Sequence, residues 1–218
     1  MAKLEATAKL LPPYAPKDHW FETLWQKLRK PTWKEVQKTK LRIVTFNYDR
    51  CLEGYLAKLA SNHYGISEKV ASRWLKQELI AHVHGTLGQY EYGKMIWLRP
   101  KRVLEGITGL GNSISSIVVI SEARPRTKEF IRARKWISHA KRLGFLGFGF
   151  HNENMKRLGI EPGAESLAHV TYLTHTSKGL SRYDRGRIYI SYFRPHDLHD
   201  SHKATSISQL VREFVYAY

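Results

Sequence analysis

The chain has 218 residues, of which 42% are apolar and 25% charged, a balance that fits a globular protein large enough to bury a core. A single cysteine, Cys51, excludes an internal disulfide and any multi-cysteine zinc module. The 36 Lys and Arg against 19 Asp and Glu give a net charge of +17, which concentrates polyanions such as nucleic acid near the surface but says nothing about fold.

Residues 1–16 predict a short helical piece broken at Pro12-Pro13 and Pro16, without the apolar centre of a signal peptide. The longest apolar run, 143–150, is too short for a membrane span and is interrupted by glycines, so a cytoplasmic protein without membrane contact is expected. Residues 18–30 read as an amphipathic helix with Trp20, Phe21, Leu24, Trp25 and Leu28 on one face. Thr32 and Glu35 stand in capping-box spacing and start another helix. No glycine occurs in the first forty residues.

Residues 41–54, LRIVTFNYDRCLEG, carry the clearest pattern in the chain. Leu41, Ile43, Val44 and Phe46 predict a buried strand; Asn47-Tyr48-Asp49-Arg50 ends it, and Cys51, Leu52, Tyr55, Leu56 and Leu59 continue at helical spacing. In an open α/β sheet such a polar elbow lies at the carboxyl edge, where ligands bind. Asn47 and Asp49 are therefore either ligand groups or caps of the following helix. Cys51 reads as a small core residue rather than a nucleophile.

One helix should follow to about residue 61, with Gly65 at the turn, and a second over 67–76 with Val70, Trp74 and Leu75 buried. Residues 78–85 repeat the strand-then-polar theme, ending in His82-Val83-His84-Gly85, with the two histidines on one side of a strand. Within 86–115, residues 95–98 could form a strand and 99–105 a short helix; the isolated Gly109-x-Gly111 carries no signal. SIVVIS, 116–121, predicts a buried strand.

A helix from Thr127 to about Arg142 should bury Phe130, Ala133, Ile137 and Ala140. Lys128, Arg132, Lys135 and Arg142 line its other side, as a solvated face or a nucleic-acid contact. The strand over 143–150 carries Gly144, Gly147 and Gly149, where a ligand, a backbone or a packed helix comes close. A helix starting at about 151–154 offers an anion-binding N-terminus. Strands are expected over 168–174 and 187–193, and a terminal helix over 207–216. His196, His199 and His202 sit either in a hydrated polar loop or, less economically, in a metal site.

Thr45-Phe46-Asn47-Tyr48-Asp49 resembles the T-x-N-x-D element of sirtuin-like NAD-binding domains in its prokaryotic N-Y-D form, and His84-Gly85 resembles that family's H-G element. Val118-Val119-Ile120, the helix around Trp136 and Phe145-Leu146-Gly147-Phe148-Gly149-Phe150 follow in the family's order, over roughly 40–160. The resemblance implies an α/β, three-layer Rossmann-like (sirtuin-like) domain with a mostly parallel sheet, over 41–194, flanked by a helical segment, 1–40, and a loop and helix, 195–218.

It also implies cleavage of the nicotinamide–ribose bond of NAD, as in NAD-consuming hydrolases of prokaryotic antiviral defence, with no metal. Asn47 and His84 would be catalytic, His84 as general base on a ribose hydroxyl. Thr45, Asn47, Asp49, Gly85, Gly147 and Gly149 would contact NAD. The family's glycine-rich phosphate loop should precede residue 41, and nothing there contains glycine. The cofactor site is thus expected to be incomplete at its N-terminus. A missing segment or a partner chain would then complete it, or activity has been lost. The alternative is a basic nucleic-acid-binding module with a degenerate crevice.

Overall fold

The computed structural model describes residues 20–86, 127–163, 167–177, 179–193 and 206–215. It is an α/β protein with short parallel strand pairs, and it divides into two compact units, residues 1–21 with 28–129, and residues 22–27 with 130–218. Expectations for residues 1–19, 95–98, 99–105, Gly109-x-Gly111, 116–121 and the histidines at 196, 199 and 202 lie outside the described residues.

Helix α1, Trp20–Leu28, buries Phe21, Leu24, Trp25 and Leu28, the face its 3–4 spacing dictates. Helix α2, Trp33–Val36, starts at Thr32 with both halves of the expected capping box: the Thr32 side chain accepts from Glu35 N–H, and Glu35 accepts from Thr32 N–H at 3.0 Å.

In the first unit, β1 (Ile43–Thr45) leads into α3 (Cys51–Tyr64), which stops where Gly65 turns left-handed at φ +65°. Ser67 caps α4, Glu68–Trp74. Ala71, Trp74 and Leu75 form its inward stripe, and Val70 stands one position off that stripe, 46% exposed rather than buried. The helix widens into a π-helical turn, Leu75–Leu79, and delivers the chain into β2, Ile80–His82. β2 pairs in parallel with β1, Thr45 opposite His82. The strand stops at His82, and a turn closed by Gly85 N–H on His82 O (3.1 Å) carries Val83 and His84. The two histidines therefore do not share a strand face.

In the second unit, α5 (Lys128–His139) buries Phe130, Ala133 and Ile137. It ends three residues before Arg142, which instead opens β3 (Arg142–Phe145). The Arg142 guanidinium lies 4.1 Å from the Tyr172 ring centroid and donates to Phe214 O at 3.2 Å, contacts a helical position would forfeit. β3 is half the expected length, because Gly147 (φ +60°) and Phe150 (φ +51°) turn the chain out of extended geometry. Helix α6, Asn152–Arg157, follows. β4, Tyr172–His175, pairs in parallel with β3.

The expected strand over 187–193 is helical: α7, Arg182–Ile188, continues as a π-helical turn, Tyr189–Phe193. Ser181 caps it by accepting from Asp184 N–H at 3.0 Å, and Ile188, Tyr192 and Phe193 are buried at helical spacing. The terminal helix α8, Ile207–Phe214, has a second capping box, at Ser206 and Gln209, and buries Leu210 and Val211. No helix among the described residues is long and apolar enough to cross a membrane.

Candidate functional site

Because β1 and β2 are adjacent and parallel, the elbow after Thr45 and the turn after His82 lie at the same edge. Thr45 tightens the elbow from inside, its Oγ1 accepting from Asn47 N–H at 3.1 Å. Asp49 stands one position before the N-cap of α3, Arg50, and its Oδ1 accepts from the N–H of Cys51, the first helical residue, at 3.1 Å. Asn47 does not cap. Its carboxamide is exposed and makes no hydrogen bond to any described residue, while its backbone carbonyl is held by His82 Nδ1 at 3.0 Å.

That histidine belongs to a buried charge cluster the motif reading missed. His82 Nε2 lies 3.1 Å from Glu53 Oε2, and Arg50 Nε donates to the same oxygen at 2.8 Å. Both ring nitrogens of His82 thus face oxygen atoms. Burial pushes the Glu53 carboxyl up, but the hydrogen bonds and charges of His82 and Arg50 outweigh it and hold the group at about 2. Glu53 thereby ties the first turn of α3 to the end of β2, and through His82 to the backbone of Asn47. The available signal was an Arg-x-x-Glu pair directly after the elbow, with a histidine closing the next strand.

His84 is 2% exposed. Its ring meets Phe46 edge-on at 5.2 Å and Tyr48 at 6.1 Å, so the elbow's own aromatic residues shield it. Cys51 is buried, and burial together with the hydrogen bond and charge of Asp49 pushes its thiol well up, away from nucleophile chemistry.

The structure therefore brings Thr45, Asn47, Asp49, His84 and Gly85 together at one edge. Gly147 and Gly149 belong to the second unit and follow β3, which pairs with β4, so three predicted strand ends do not line up in one described sheet. Gly147 is required by its positive φ, and its N–H already donates to Thr176 Oγ1 at 2.7 Å. At Gly149 a Cβ would come within 3.1 Å of the His151 ring, and at Gly144 within 3.2 Å of the Phe214 ring. Gly144 thus answers to packing of α8 on β3. Helix α6 is six residues long and carries Glu153 in its first turn, paired with Arg157 at 3.0 Å, which opposes binding of an external anion there. Among the described residues, no three His, Cys, Asp or Glu side chains converge as a metal ion would require.

No protein-family model matches the chain, and neither does any curated protein or any solved structure.

Proposed function

We propose that the β1–β2 edge is the nicotinamide-ribose end of an NAD-cleaving site, on a sirtuin-like, three-layer Rossmann-like domain. The observation that carries this reading is that the exposed Asn47 carboxamide, without a hydrogen bond to any described residue, and the buried His84 imidazole each follow the end of one of two adjacent parallel strands. The reaction is hydrolysis: the bond between the nicotinamide nitrogen and ribose C1′ breaks, water supplies the new oxygen at C1′, and nicotinamide and ADP-ribose leave. Asn47 orients the ribose or the attacking water, having both a donor and an acceptor to give. His84 takes a proton from a ribose hydroxyl. Its ring lies behind Phe46 and Tyr48, so substrate entry displaces Tyr48. Asp49, one oxygen of which accepts from Cys51 N–H, holds the loop in place.

The residues fit the nicotinamide-ribose half of NAD better than the pyrophosphate half. No glycine precedes Gly54, so backbone donors for the phosphates come from another segment or a partner chain. The test is nicotinamide release from NAD by the purified protein, alone and with the products of adjacent genes. Asn47→Ala and His84→Ala each abolish release; full activity in either variant rejects the assignment.

A further inference from the structure

We propose that the exposed face of α7 and its π-helical continuation docks single-stranded nucleic acid. The proposal is independent of the NAD reading and concerns the second unit alone. Arg182, Gly186 and Ile190 form one row at four-residue spacing, and Tyr183, Arg187 and Ser191 form the next; together they line one shallow, open depression. The rows run about 12 Å at 1.5 Å per residue, enough for a few nucleotides.

Three features favour this ligand. Tyr183 is 79% exposed and Ile190 60%, two of the four large apolar side chains left exposed among the described residues, and Tyr183 is the aromatic one. An aromatic ring held on a rigid helix accepts a base on its face whatever the sequence. The middle of the first row is Gly186, where an added Cβ would meet nothing within 4 Å, so a planar group can come down to the backbone there. The helix carries Arg182, Arg185 and Arg187, and its one acid, Asp184, is drawn to the cap, accepting from Ser181 Oγ at 2.6 Å. Neither Arg182 nor Arg187 has a carboxylate within ion-pair distance among the described residues. Arginines beside an open aromatic ring, in a chain of net charge +17, complement a strand of phosphates with unpaired bases. A duplex hides its base faces and could use only the arginines.

The test is fluorescence anisotropy of the full chain with a labelled oligothymidylate, with salt varied from about 50 to about 200 mM. Tyr183→Ala should weaken binding roughly 5- to 150-fold, the range of one lost base stack, and Tyr183→Trp should keep it within about twofold of the starting affinity. Replacing Arg182 and Arg187 by Gln should flatten the slope of log affinity against log salt by about 1.4, or about 0.7 per phosphate contact. A charge-matched control, Lys34→Gln with Lys38→Gln, should leave the Tyr183 effect intact. Three results each overturn the proposal: Tyr183→Ala binding as well as the parent, an unchanged salt slope in the arginine variant, or a duplex of equal length competing as well as the single strand.

Discussion

Glu53→Gln is the most informative single change, because it removes one charge from the cluster that fixes the elbow while keeping the side chain's shape. The folded protein holds the Glu53 carboxyl at about 2 against an ordinary value of 4.5. That difference, at about 1.36 kcal/mol per pH unit, makes the ionised carboxylate worth about 3 kcal/mol to the folded state. The carboxyl is lowered on folding, so this stabilisation is fully present above pH 4.5 and disappears as pH falls from there toward 2. More than half should be gone by about pH 3. The side chain is 3% exposed, so solvent screens the interaction little. Urea unfolding at pH 7 should show Glu53→Gln about 3 kcal/mol less stable, a midpoint shift of about 1 M or more. The gap should close as both proteins are acidified. A variant within about 0.5 kcal/mol of the parent at pH 7, or a gap unchanged at about pH 2 to 3, would refute the cluster as the elbow's anchor.

Cys51, with its thiol pushed up by burial and by Asp49, should react with a disulfide reagent at pH 8 at least about a hundredfold more slowly in the native protein than in urea; equal rates would show that the thiol is open. Gly144→Val would drive a branched side chain into the Phe214 ring and Leu210, and should cost about 1–3 kcal/mol in thermal unfolding. A variant as stable as the parent would mean that α8 does not pack on β3 as described.

Much of the local structure is legible in the residues because its causes are local. Thr32 with Glu35, Gly65, and the strand–elbow–helix turn at 41–54 all declare themselves within a few positions. The 187–193 run fails for a specific reason: Ile188, Tyr189, Ile190, Tyr192 and Phe193 have strand-like composition. A cap six residues upstream, Ser181 with Asp184, had already set the winding, and the buried positions 188, 192 and 193 keep helical spacing. The candidate site divides in the same way. Asn47, Asp49 and His84 are found from their motif, whereas Glu53 and His82 are 29 residues apart and meet only once β1 and β2 have paired. Glycine at 144, 147 and 149 was visible, but its purpose was not, since a residue without a side chain looks alike whether a helix, a turn or a ligand approaches it.

The wide turn at Leu75–Leu79 has a consequence beyond its own five residues. A π-turn absorbs one surplus residue, and in a strand one residue decides which way every side chain faces. The length of that helix end therefore acts as a phase setting for β2. With one residue fewer, Val83 would take the place from which the imidazole now reaches Glu53, and the elbow would lose its tether although no residue within it had changed.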